Sequence, residues 1–281
     1  MKKHNIKFMN IRMIPGSVFN LSKEFNSKKQ NISIKDELLN LLQYSNKFNL
    51  ILCTSKSYDT TKIYKNLNNY CNIVIKNNLQ NFVIGYDLVG SEDNNPDLTK
   101  VIDNLLLLQK KYDIKYYIHA GEFIHSKNSL ENLKLINKLN ISRIGHGSYY
   151  LIPNNDNELE LNSNNIIEIC PIGNYLFHNT IYDFEKLKKY INTNNIVIGS
   201  DDDNKQNSNL TFDYMFLFLY YRLSIDEIKK LLLNSFDSIN ENIYNNKYQI
   251  NDFNNKYQIN NFNDEYNKWY NKYKNILNNY Y

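Results

Sequence analysis

The sequence predicts an α/β fold, a (β/α) barrel of the TIM type, and three observations predict it. Short runs rich in β-branched and aromatic residues recur at 6–14, 49–54, 82–89, 114–119, 141–145, 166–170 and 196–200, and these are the residues that fit a buried parallel sheet. Between most of them lie segments whose apolar residues fall at helical spacing. Several of the strand-like runs end in a polar cluster. A barrel of this kind gathers its functional groups from the C-terminal ends of different strands, so polar tips on apolar runs mark its active face.

Taken in order, residues 6–14 alternate as a strand and close at the turn pair Pro15-Gly16. Residues 17–30 are polar and read as an irregular loop, and 34–44 have helical spacing through Leu38, Leu41 and Leu42. A strand at 49–54 precedes a helix at 59–78, and a strand at 82–89 ends at Gly90. Residues 97–111 are helical, 114–119 a strand, 130–139 a helix and 141–145 a strand. The last strands are 166–170 and 196–200, with 184–191 helical between them and helices expected over about 210–281. The whole chain, 1–281, reads as one barrel domain. That count is seven strands, and a (β/α) barrel closes with eight. The barrel is therefore expected to be incomplete.

Charge and composition exclude several classes. The 33 Lys and Arg against 29 Asp and Glu give a net +4 spread along the chain, with no basic run that calls for nucleic acid. The 24 Tyr, 8 Gly and 4 Pro, with Asn-rich tracts between the apolar runs, read as compositional drift. A segment at 245–251 returns at 254–260, a local duplication and no solenoid. Cys53, Cys71 and Cys170 are an odd number without C-x-x-C spacing, so no disulfide framework is expected. The longest apolar run, 102–108, is too short to span a bilayer, and Met1-Lys2-Lys3-His4-Asn5 lacks the apolar stretch of a signal peptide. As written, the chain is expected to be soluble and cytosolic, with no membrane partner.

The chemistry centres on Ile118-His119-Ala120-Gly121-Glu122. A His at a strand end can present a ring nitrogen to a divalent metal, and Gly121 lets the chain turn so that Glu122 points at whatever the metal holds. The same residues also read as a half-buried strand histidine, a turn glycine and a solvated glutamate. Four further clusters have the same form: Gly85-Tyr86-Asp87-Leu88-Val89-Gly90-Ser91-Glu92, Arg143-Ile144-Gly145-His146-Gly147, Glu168-Ile169-Cys170-Pro171-Ile172-Gly173-Asn174, and Gly199-Ser200-Asp201-Asp202-Asp203. His146 between two glycines is either a tight-turn residue or one that lets the backbone approach a ligand. Asp201 to Asp203 are either a solvated run or a strand-tip site, and Glu168 and Asn174 either tie loops together or touch substrate. His4 precedes the first strand and sits at the bottom face, whereas His125 and His178 lie in top-face loops within reach of the site.

At these motifs the sequence resembles the adenosine deaminases. His119-Ala120-Gly121-Glu122 is similar to that family's HAGE, Arg143 to Gly147 to its R-[IV]-G-H-G, Glu168 to Asn174 to its E-x-C-P-x-S-N, and Ser200-Asp201-Asp202 to its [ST]-D-D. The block from Gly85 to Asp93 most resembles the adenosine deaminase-related growth factor branch, which includes adenosine deaminase 2, and Thr211-Phe212-Asp213-Tyr214 and Leu233-Asn234-Ser235-Phe236 resemble later segments of it. The resemblance implies a barrel of the metal-dependent hydrolase kind, matched from its second strand onward. The strand it leaves unmatched is the first, which carries the family's His-x-His pair, and no His-x-His occurs in these 281 residues.

The resemblance further implies zinc held by His119 and Asp201 together with that pair. Glu122 would give a proton to purine N1, His146 would orient the hydroxide, Asp202 would donate to N7, and the Gly90 backbone would meet N3. Adenosine, or a related purine nucleoside, would become inosine and ammonia. With two ligands absent, zinc is expected to be weak or missing in this chain alone. The competing expectation is an impaired relic that binds a purine nucleoside or a protein partner. The unfilled place in the barrel adds another expectation, self-association or a fragment supplying the missing strand. Three departures bear on specificity: Asp203 stands where the family has Pro, Gly173 where it has Ser, and Phe123-Ile124-His125 where the growth-factor branch brings a Trp near the ribose. That branch is typically secreted, which conflicts with the cytosolic expectation.

Overall fold

Seven strands, β1 (Met9–Met13), β2 (Phe48–Ser55), β3 (Val83–Val89), β4 (Tyr116–Ala120), β5 (Ile141–His146), β6 (Ile166–Ile169) and β7 (Ile196–Ile198), form one sheet in the order in which they occur. Every pairing is parallel. The computed structural model describes residues 8–16, 32–93, 98–139, 141–153, 161–202 and 208–247. Among them β1 pairs with β2 alone and β7 with β6 alone, so the sheet is an open, strongly curled half-barrel, an incomplete TIM-type arrangement.

The apolar runs become strands because both faces of the sheet are covered. In β2 the consecutive residues Leu50, Ile51 and Leu52 are all essentially buried, a pattern that a one-sided sheet with period 2 does not give. Helices α1 (Ile34–Leu42), α2 (Thr60–Lys76), α3 (Ile102–Tyr112), α4 (Lys127–Ile136), α5 (Pro171–His178), α6 (Phe184–Asn192), α7 (Leu210–Tyr220) and α8 (Ile225–Lys247) follow the strands. Six of them start at a side-chain cap, Ser33, Asp59, Ser126, Asp183, Asn209 or Ser224, whose oxygen accepts an amide of the first turn.

The Ser126 cap moves the start of α4 to Lys127, ahead of the expected 130. The expected helix at 97–111 is a short 3-10 turn, Leu98–Lys100, followed by α3. Helix α5 is absent from the pattern read above because Pro171 and Gly173 look like turn punctuation. Pro171 instead occupies the first helical turn, where it costs no backbone bond.

The chain divides into a compact unit, Met1–Ser238, and a second, Ile239–Tyr281. The first contains the whole sheet. The second is described only as the C-terminal part of α8, to Lys247. The loop expected at 17–30, the duplication beyond Lys247, His4 and Asp203 lie outside the described residues. All three cysteines are free and buried, and no described helix is long and apolar enough to cross a membrane.

Candidate functional site

The tips of β1, β3, β4, β5 and β6 converge on one polar cluster. Asp87 of β3, with no exposed side-chain surface, accepts from the His119 amide at 3.0 Å through Oδ1 and meets His119 Nδ1 at 2.8 Å through Oδ2. Arg12 of β1 donates Nε to Asp87 Oδ2 at 2.6 Å and reaches Glu168 Oε2 with Nη2. Glu168 also pairs with Arg143 Nη1 at 2.8 Å. Burial alone would raise both carboxyl pKa values. His119 and Arg12 outweigh it at Asp87, Arg12 and Arg143 outweigh it at Glu168, and both groups are held below the usual range. Asp87 and Glu168 are thus ionised and fully committed to partners within the barrel.

A second layer lies around Glu122. Its Oε1 is 3.1 Å from His178 Nε2 and 3.6 Å from His146 Nε2; the first is a hydrogen bond, the second too long for one. Burial pushes the Glu122 carboxyl up, but His146, the His178 hydrogen bond and His119 reverse this and bring it to about 2. Burial holds the His146 imidazole below its ordinary value, partly offset by Glu122. The His119 and His146 rings are 5.1 Å apart between centroids. Gly145 makes room for this arrangement: a Cβ there would fall 2.8 Å from His119 Nδ1.

The neighbouring polar residues hold these groups in place. Asn174, fully buried in α5, accepts from the Cys170 amide at 3.1 Å and the Tyr182 hydroxyl at 2.9 Å, which turns its Nδ2 toward His146 Nδ1 at 3.1 Å. His146 Nδ1 is then an acceptor, and its proton resides on Nε2, facing Glu122. Glu92 accepts from the amides of Gly121, Glu122 and Phe123 and so sets the path of the loop that carries Glu122. Lys56, just past β2 and 3% exposed, donates Nζ to the His119 carbonyl at 2.7 Å; burial lowers its pKa against the pull of Glu92, Asp87 and Glu122.

Glu122, His146 and His119 lie close together, Asn174 ties Cys170 and Tyr182 to His146, and Glu168 bridges Arg12 of β1 and Arg143 of β5. Asp201 and Asp202 follow β7 and are exposed, with the Asp201 charge felt at His146. Gly90 directly follows β3 at φ +109°, a left-handed conformation that favours glycine, and its Cβ position is open apart from Ser55 Oγ at 3.8 Å. His125 is exposed, whereas His178 is drawn into the cluster. Asp87 and Glu92 lie in the polar block from Gly85 to Glu92 that the sequence marks, without a role of their own there, whereas Arg12 and Lys56 lie outside every motif. A charged residue inside an apolar strand was the available signal for Arg12 and Asp87; Lys56 had none.

Residues 2–245 match the family model for adenosine deaminase. The chain belongs to the adenosine deaminase family. It is 28% identical over 250 residues to an adenosine deaminase of Clostridium kluyveri, covering 84% of this chain and 65% of that one. It is 27% identical over 245 residues to adenosine deaminase 2 of Dictyostelium discoideum, covering 82% and 41%. The chain thus spans only part of the length of these relatives. An adenine deaminase of Arthrobacter aurescens superposes with TM-score 0.61 at 17% identity, over 83% of this chain and 68% of that one. Arabidopsis ADAL complexed with IMP does so with TM-score 0.58 at 16% identity, over 84% and 69%. At such identities these two structures speak to the fold.

Family membership classes the chain with the deaminase enzymes, but the expected zinc hydrolase is not what the residues assemble. Among the described residues no group of three or more His, Cys, Asp and Glu could hold a metal ion. A catalytic zinc needs three protein donors around it. Asp87 holds His119 through Nδ1, which leaves Nε2 as the ring's one donor for a metal, and among the described residues no group of three donors is completed around it and Asp201. The expectation of a zinc-dependent conversion of adenosine by this chain is corrected accordingly.

Proposed function

We propose that this chain is a purine-binding member of the adenosine deaminase family that does not hydrolyse adenosine on its own. One observation carries the reading: the Glu122, His146 and Asn174 constellation is ordered and internally supported, while the described residues gather no metal-holding cluster. In this reading Glu122 and His146 face the ligand, the Gly90 backbone approaches it, and Asp202 lies at the rim. The ligand class draws support from Arabidopsis ADAL, which has been seen with IMP and with GMP. We place the chain nearest the growth-factor branch, on the block from Gly85 to Asp93 and the similarity to the Dictyostelium adenosine deaminase 2.

The test is calorimetric titration of the 281-residue chain with inosine, adenosine and IMP, beside an ammonia-release assay with added zinc. Saturable binding without ammonia is expected. Ammonia release at an enzymatic rate, or no binding of any purine at millimolar concentration, would overturn the reading.

A partner strand belongs to the same proposal. β1 and β7 are the two ends of the open sheet among the described residues, and unpaired strand edges invite association. Sedimentation of the isolated chain is expected to show self-association, and a compact, cooperatively melting monomer would count against it.

A further inference from the structure

We propose that His178 is a positioning residue of this site, holding Oε1 of Glu122 so that Oε2 is the oxygen left to a ligand. The inference rests on the purine-binding reading and adds to it a residue that the family motifs do not include. His178 comes from the last turn of α5, far in sequence from β4, yet its Nε2 lies 3.1 Å from Glu122 Oε1. Since Glu122 is ionised, it accepts only, and His178 Nε2–H is the donor. His146 Nε2 stands 3.6 Å from the same oxygen. Among the described residues no donor is bound to Oε2.

The imidazole of His178 is itself held. The Phe123 ring packs against it at 4.4 Å between centroids, tilted by 60°. Glu122 and Phe123, adjacent in sequence, therefore both meet His178, while Glu92 accepts from both of their amides. The carboxylate is gripped through its backbone from one side and through Oε1 from the other. A carboxylate fixed in this way binds a ligand donor without first losing rotamer freedom.

The experiment compares wild type, H178A, H178Q and the double variants with E122Q, using inosine as the probe. Glutamine is the conservative replacement because its side-chain amide nitrogen falls near the place of the imidazole Nε2. H178A is expected to weaken inosine binding about tenfold, the size of a lost charge-assisted hydrogen bond. H178Q should stay within about threefold, and in the E122Q background H178A should change affinity less than about twofold. Equal losses in both backgrounds would overturn the proposal, because a merely structural role does not depend on the charge at position 122. The carboxyl carbon resonance of Glu122 in the unliganded protein gives an independent reading. It should shift in H178A and return in H178Q, and an unchanged resonance overturns the proposal whether or not any purine binds. Absence of inosine binding in wild type with the resonance shifting as expected would count against the purine reading alone.

Discussion

Oε1 of Glu92 lies 3.0 Å from the Gly121 amide, and through this contact a carboxylate just past β3 dictates where the loop after β4 goes. The same group accepts from the Glu122 and Phe123 amides, from Ser129 Oγ at 2.7 Å and from Asn132 Nδ2 at 3.1 Å, and it is 1% exposed. Three backbone amides and the Asn132 side-chain amide are fixed donors to this carboxylate. Glu92→Gln turns one acceptor into a donor that faces other donors. Destabilisation of about 2 to 4 kcal/mol is expected from the unmet buried groups. Urea unfolding measures it, and a change within experimental error would show that the loop is held by something else.

Most strands were legible because they are short apolar runs buried on both faces, as Leu50, Ile51 and Leu52 show in β2, whereas β1 at the sheet end is only part-buried. His119, Glu122 and His146 were legible because they terminate such runs. Less legible was what depends on pairing across the sheet. Nothing local in Asn10-Ile11-Arg12 says that Arg12 will reach Asp87 and Glu168, since those contacts follow from curling of the sheet. The entry of His178 was hidden for a related reason: it depends on α5, whose start at Pro171 looks like a turn. The zinc expectation came from motif identity, and whether donors meet is a property of the folded chain and not of the motif.

Arg12 is the cation between two buried carboxylates, so its removal should hurt more than its partial exposure suggests. Arg12→Met leaves Asp87 with His119 and Glu168 with Arg143, but strips each of one charge partner. Breaking one side of a buried pair costs about 3 to 5 kcal/mol, and the 24% exposure of the Arg12 side chain argues for the lower end. Chemical denaturation of the variant should show that loss. A neutral substitution would mean that the remaining partners compensate fully.

His146 should be a neutral imidazole with its proton on Nε2, because Asn174 Nδ2 donates to Nδ1 at 3.1 Å and burial disfavours the charged ring. Nitrogen NMR reads this directly. Asn174→Asp replaces the donor by an acceptor and should move the proton to Nδ1, taking the Nε2–H away from Glu122. Finding the Nδ1–H form already in wild type would contradict the assigned geometry.

Acid sensitivity should follow from Glu122. Its folded pKa of about 2 lies below the ordinary 4.5, so the folded state holds the ionised form more strongly than the unfolded state does. The resulting stability is fully present above about 4.5 and is lost as pH falls toward about 2. Melting temperature plotted against pH should therefore fall through that window, and Glu122→Gln should flatten part of the slope while Asp87 and Glu168 supply the rest. Parallel curves for wild type and variant would show that Glu122 is not depressed.

Gly145 is where a methyl group should disturb the site most directly. Its missing side chain is replaced by the His119 ring, and an added Cβ would sit 2.8 Å from Nδ1 and 2.9 Å from Cγ. Both belong to a ring held by Asp87 at 2.8 Å, so the ring has to give up that hydrogen bond or push the strand aside. Gly145→Ala is expected to cost about 1 to 3 kcal/mol, as overpacking does, and to move His119 away from its 5.1 Å contact with His146. Gly199→Ala is the control: there the nearest atom is Cys170 Sγ at 3.2 Å, a softer neighbour that yields by a few tenths of an ångström. If both alanine variants melt alike and bind inosine alike, close packing of the His119 ring on β5 does not govern the site.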